Sequence, residues 1–100
     1  VIVEIKSEGQ WRIVELAGDI KVEEAGVLRE KMLDLIDHGK DHIIIDFTRV
    51  DFIDSTGLGV LVGIHKRIKM VNGELVIRGT KGSIRDIFEL TRLNQIFTME

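Results

Sequence analysis

The stretch from Ile43 to Met70 constrains this chain more than any other part of it. Ile43-Ile44-Ile45 is a continuous β-branched run inside His42 to Phe47. Such a run predicts a central strand covered on both faces. From Thr56 to Met70 the residues are apolar nearly all round, with Leu58, Val60, Leu61, Val62, Ile64 and Ile68. That pattern predicts a largely buried helix. Thr48 to Ile53 reads as the connector between them. The flanking sequence must therefore supply further strands to pair with the first element and further helices to cover the second.

The flanks do so. Val1 to Lys6 alternates as a strand, Ser7-Glu8-Gly9-Gln10 reads as a turn, and Trp11 to Ala17 reads as a hairpin partner ended by Gly18-Asp19. Val22, Ala25, Leu28, Met32, Leu35 and Ile36 recur at spacings of three and four, the pattern of an amphipathic helix with Gly39 as its stop. Beyond the central pair, Glu74 to Arg78 reads as a strand and Thr80 to Leu90 as a short helix with Ile84, Ile87 and Phe88 inward. Gln95 to Met99 reads as an edge strand. The order is β-β-α-β-α-β-α-β. Alternation implies parallel pairing through crossovers in the middle of the sheet, and the opening hairpin makes the sheet mixed. The chain has 100 residues, which suits one domain over 1–100.

Composition excludes several classes of function. No cysteine is present, so there is no disulfide framework and no thiolate metal site. The balance of 14 basic and 17 acidic residues gives −3, and the basic cluster Lys66-Arg67-Lys69 falls where a helix ends. Cations favour that end of the helix dipole, so nucleic-acid binding is not expected. No apolar run approaches the roughly 18 residues that span a bilayer, and the first residues lack a signal-peptide shape. A cytoplasmic protein with no membrane association is the expectation.

Chemistry concentrates at Asp54-Ser55-Thr56-Gly57-Leu58-Gly59. A helix starts there, so unpaired N–H groups favour an anion. Two hydroxyls stand at Ser55 and Thr56. Gly57 and Gly59 each cost the helix roughly 1 kcal/mol against alanine, so close approach of another group is expected there. The same residue types also suit a simple N-cap.

Other readings fit less well. Gly57-Leu58-Gly59-Val60-Leu61-Val62-Gly63 has one residue too many for a dinucleotide fingerprint. Asp46, Asp51 and Asp54 imitate an acidic Mg²⁺ pocket, but the opening hairpin does not suit a receiver fold. His38, His42 and His65 have no ligand spacing and read as surface or helix-end residues. Ser55 lacks the Gly-x-Ser-x-Gly elbow of a hydrolase, and no base is paired with a nucleophile. No catalytic residue, metal or cofactor is expected.

The chain resembles the STAS domain of bacterial anti-sigma factor antagonists. The resemblance runs through the hairpin, Gly18-Asp19-Ile20, the Asp54-to-Leu61 segment, Gly73-Glu74-Leu75 and Phe88-Glu89-Leu90-Thr91-Arg92-Leu93. It implies partner switching. The unphosphorylated form binds an anti-sigma factor, often itself a serine kinase, and so frees a sigma factor. Phosphorylation of Ser55, with Thr56 as the fallback, ends binding, and a PP2C-type phosphatase reverses it. The implied partner surface holds Asp19, Lys21, Asp54, Ser55, Thr56, Gly57, Leu58 and Gly59. The alternative is a STAS subunit of a lipid-transport or sensor complex that does not switch. One departure stands out: the family has Gly-Glu-Leu-Asp where this chain has Gly18-Asp19-Ile20-Lys21. A lysine near Ser55 would stabilise phosphate and alter kinase recognition.

Overall fold

The computed structural model describes residues 1–100. The strands are β1 (Ile2–Glu8), β2 (Trp11–Ile20), β3 (His42–Ile53), β4 (Glu74–Arg78) and β5 (Thr98–Met99). The helices are α1 (Val22–Asp37), α2 (Ser55–Met70) and α3 (Gly82–Leu90), and a short 3-10 turn covers Leu93–Gln95. The sheet order is β1-β2-β3-β4-β5. The β1–β2 hairpin is antiparallel and every later pairing is parallel, so the sheet is mixed as its pattern predicts.

One apolar cluster forms the core. It joins Val14, Leu16, Ile43, Ile45, Phe47, Leu75 and Ile77 of the sheet to Leu28 and Met32 of α1, Leu61 and Ile64 of α2, and Ile84 and Phe88 of α3. All three helices therefore cover the same face. Ile13 and Val76 are buried but lie outside this cluster, and Ile44 between them is half-buried. The expectation that β3 is covered on both faces is met by helices on one face only. Its second face is shielded by neighbouring side chains, among them the Lys6–Glu15 and Arg78–Asp46 ion pairs and Trp11 set edge-on to His42. Phe47, Phe88 and Phe97 form an edge-on aromatic series with centroids 5.8 and 6.0 Å apart, which fastens α3 and the chain end to the sheet.

Several boundaries differ from the expectation: β1 runs on to Glu8, α3 starts at Gly82 and not at Thr80, and three others differ for a clear local reason. Thr48 to Ile53 is strand, not connector. Pairing shifts between Glu15 and Ala17 and again between Gly18 and Asp19, so the buried residues of β3 change from alternation at Ile43, Ile45 and Phe47 to Val50 and Ile53. A bulged strand loses its period of two, which hides it from pattern reading. Gly18, at φ +80°, sits at the second shift, and β2 continues past it to Ile20. Near the chain end the expected Gln95–Met99 strand shortens to Thr98–Met99: Gln95 closes a 3-10 turn, and Phe97 is buried in the core just before the pairing with β4. Val22, expected on the inner face of α1, is exposed.

Asp46 holds the point where β3 outruns β4. It is the last β3 residue paired with β4. Its Oδ2 accepts from Nε and Nη2 of Arg78 at 3.2 and 3.0 Å. Its Oδ1 accepts from the Thr48 N–H and hydroxyl at 2.8 and 2.6 Å. Burial pushes this carboxyl up, but the bonds from Thr48 and Arg78 outweigh burial and hold it below the usual carboxylate range. Beyond this clamp β3 runs on beside β2 alone, to the end of the sheet where α1 and α2 begin.

Candidate functional site

The register sets the site. Asp19 lies opposite Phe52 and Ile20 opposite Ile53 in the parallel β2–β3 pair. Both strands end together, and each leads directly into a helix. Parallel pairing thus puts two helix N-termini side by side at one edge, the usual place for ligand and partner sites in such sheets.

Asp54 is the N-cap of α2. Its carboxylate accepts from the Gly57 N–H at 2.9 Å, its carbonyl accepts from the Leu58 N–H at 3.1 Å, and its own N–H donates to the Ile20 carbonyl at 3.1 Å. The cap reading therefore applies to Asp54 and not to Ser55. Ser55 is the first residue of the helix, exposed, and its hydroxyl enters no hydrogen bond within the chain. Thr56 is exposed as well.

The two glycines have different reasons. A Cβ on Gly57 would sit 2.7 Å from Ile53 Cγ1 and 3.1 Å from Ile20 Cγ2. The close approach expected there is real, but the approaching groups belong to this chain. It lets α2 lie down on the ends of β2 and β3. Gly59 is exposed, and a Cβ there would meet nothing within 4 Å. Close approach within the chain does not explain Gly59. Leu58 is half-buried against the core and holds the first turn down.

On the β2 side, Lys21 is the N-cap of α1. Its ammonium lies 4.0 Å from Asp19 and 5.9 Å from the centre of the Phe52 ring. Its N–H donates to Glu24 Oε1 at 3.0 Å. Both ionic side chains are more than half exposed, so the Asp19–Lys21 pair contributes little stability. Phe52 was not singled out from sequence. It is an aromatic ring 43% exposed at the end of a strand, between Lys21 and the start of α2. No sequence signal marks it, because inward and outward positions cannot be told apart once the strand has bulged.

The acidic trio does not converge. Asp46 is engaged by Arg78 and Thr48, Asp54 by Gly57, and Asp51 is exposed. No group of three acidic or histidine side chains has metal-holding geometry. The histidines are separate too. His38 caps α1, His42 pairs with Asp41 at 2.9 Å, and His65 lies edge-on to Phe97 in the middle of α2. His65 is the one that departs from a surface reading, since its Nδ1 is buried without a hydrogen-bond partner. Burial, and secondarily the Lys69 ammonium, push its pKa down.

No helix is long and apolar enough to cross a membrane. The sequence profile of the STAS domain matches residues 3–100. The anti-sigma-B factor antagonist of Bacillus subtilis (strain 168) is 37% identical over 94 residues, covering 94% of this chain and 85% of the relative. Among solved structures, tm1081 of Thermotoga maritima superposes with a TM-score of 0.91 at 24% identity, covering 96% of this chain and 83% of that one. The anti-sigma factor antagonist SpoIIAA of Bacillus, in its phosphorylated form, superposes with a TM-score of 0.77 at 21% identity, covering 97% and 89%. The two structural likenesses speak for the fold. With the profile spanning nearly every residue and the Bacillus relative matched along most of its length, this chain belongs to the STAS-domain family.

Proposed function

We propose that this protein is an anti-sigma factor antagonist switched by phosphorylation of Ser55. In its unphosphorylated form it binds an anti-sigma factor in the cytoplasm and so releases a sigma factor. The anti-sigma factor is a serine kinase that modifies Ser55, and a PP2C-type phosphatase restores the binding form. The protein itself catalyses nothing. The relative that carries the family likeness is named for antagonism of an anti-sigma-B factor. SpoIIAA has been solved in both unphosphorylated and phosphorylated forms.

The observation that carries the reading is the state of Ser55. Its hydroxyl is exposed and unbonded at the first position of a helix whose cap is already provided by Asp54. Modification therefore breaks nothing inside the domain. A phosphate adds about −1.5 to −2 charges and three acceptor oxygens. The helix N-terminus favours that charge, while Asp54 beside it opposes it. The domain stays folded and its surface changes. A partner that buries Ser55 would have to bury an uncompensated charge, which is costly. A penalty of about 3–4 kcal/mol corresponds to roughly a hundred- to a thousandfold in affinity.

The test is labelling with ATP and the anti-sigma factor kinase from the same organism, followed by mapping of the phosphate. Label on Ser55 in the wild type and none in Ser55→Ala is the expected result. Undiminished label in Ser55→Ala would move the switch to Thr56. Tight partner binding that Ser55→Asp leaves unchanged would favour the non-switching STAS subunit.

A further inference from the structure

Between the outer faces of α1 and α2 runs a groove of about 410 Å³. It begins at Thr56, one residue past Ser55, and ends at Met70. At 1.5 Å per helical residue it extends for roughly 20 Å. Its floor and apolar wall are Gly59, Gly63, Val60, Ile64 and Leu33.

Its charge is one-sided. Arg29, Lys66 and Arg67 line it, and no acidic residue does, although the chain as a whole carries −3. Arg67 is paired with Asp37 at 3.0 Å. Arg29 and Lys66 form no ion pair within the chain. Lys66 and Arg67 are thus more than a favourable helix end, because Arg29 joins them from another helix across the groove.

The floor also lacks side chains at two positions, Gly59 and Gly63. A Cβ on Gly59 or on Gly63 would meet nothing within 4 Å. Alanine would fit at both positions and would favour the helix by roughly 1 kcal/mol each. Nothing in the isolated domain calls for glycine at either place. A second backbone lying along α2 does, since glycine admits the closest approach.

We infer that this groove seats an amphipathic helix of the anti-sigma factor whose apolar face meets Val60 and Leu33 and whose flank carries acidic residues that meet Arg29 and Lys66. This rests on the proposed function and specifies the partner surface it leaves open. The argument for an acidic occupant is charge complementarity, and the groove is continuous with the Ser55 edge. A helix in a groove is a common mode of peptide recognition. The arrangement also explains how a switch at Ser55 controls binding elsewhere. A phosphate at the mouth of the groove places negative charge beside an acidic guest.

The experiment measures affinity of the intact, unphosphorylated chain for the purified anti-sigma factor of the same organism by calorimetry. Four proteins are compared: wild type, Arg29→Glu with Lys66→Glu, Gly63→Leu, and Ser55→Asp. Circular dichroism first confirms that each is folded. The charge-reversed variant is expected to lose affinity at least about tenfold. Raising salt from about 50 to about 500 mM should weaken the wild type and flatten in that variant. Gly63→Leu fills the floor without changing charge and is expected to lose a similar factor. If both groove variants bind within about twofold of wild type while Ser55→Asp does not bind, the groove inference is overturned and the switch stands. If the groove variants weaken but Ser55→Asp binds as wild type, the groove stands and the switch fails. Absence of any binding by the wild type overturns both.

Discussion

The N-termini of α1 and α2 sit at the same edge of the sheet and are finished in opposite ways. At α1 the cap is Lys21, whose side chain has no acceptor, and the terminus is neutralised from within by Glu23 and Glu24 in the first turn. Glu24 reaches back to the Lys21 N–H. At α2 the cap is Asp54, the first turn carries no acid, and neutral hydroxyls follow at Ser55 and Thr56. One terminus is closed by two acids inside its own first turn, and the other is capped by the single Asp54 carboxylate and leaves two exposed, neutral hydroxyls beyond it. Position in the fold alone does not make a site. The two termini share a position and differ in what their own first turns leave unsatisfied.

That contrast can be broken in several ways. The largest effect is expected from Ser55→Asp, which adds a second carboxylate beside the Asp54 cap, on the exposed surface of the α2 terminus. Affinity for the anti-sigma factor should fall by roughly a hundredfold or more, with the melting temperature nearly unchanged. A matching acid placed at the first position of α1, Val22→Asp, should leave affinity much closer to wild type. Equal losses in both would mean that charge anywhere at this edge suffices.

The packing under α2 comes next. Gly57→Ala presses a methyl into Ile53 and Ile20, both buried, and should cost about 2 kcal/mol in denaturant unfolding. Gly59→Ala, two residues on, should instead stabilise by about 1 kcal/mol. Reversal of those signs would refute the account of why each is glycine.

Caps follow. Asp54→Ala leaves the Gly57 N–H without its acceptor and should cost about 1 kcal/mol. Glu24→Ala at the other terminus should cost only about 0.5 kcal/mol, because a second acid, Glu23, remains. A larger loss for Glu24→Ala would show that the two ends had been ranked wrongly.

The centre of α2 gives a reference away from both termini. His65 is held neutral by burial, with a folded pKa below its ordinary value. The unfolded chain therefore binds the extra proton first, and stability is lost as pH falls below about 6.5. The melting temperature of wild type should drop relative to His65→Leu between about pH 7 and pH 5. A gap that stays constant with pH would remove His65 from the pH response.

Much of this was legible from residue order. The alternating run of β1, the three-and-four spacing of α1 and the apolar character of α2 each gave the right element, because local periodicity reports which face is buried. The candidate segment Asp54 to Gly59 was legible for the same reason, since helix starts have a residue signature. What was not legible was the irregular part of the β2–β3 pairing. The second half of β3 was hidden by bulges, and Phe52 was hidden with it.

The sequence by itself determined the element order, the mixed sheet and the place where α2 begins. The elements are read from local periodicity, and the mixed sheet from their order, since a hairpin pairs antiparallel and strands alternating with helices pair in parallel. Only the tertiary structure decided that Asp54 and not Ser55 is the cap, that Gly57 answers Ile53 and Ile20 while Gly59 answers nothing in the chain, and that Arg29 stands across a groove from Lys66. Gly57 with Ile20 and Arg29 with Lys66 are far apart in sequence, and the cap, though local, is placed by where β3 ends beside Ile20; strand register and helix packing fix all of these, which residue types alone do not specify.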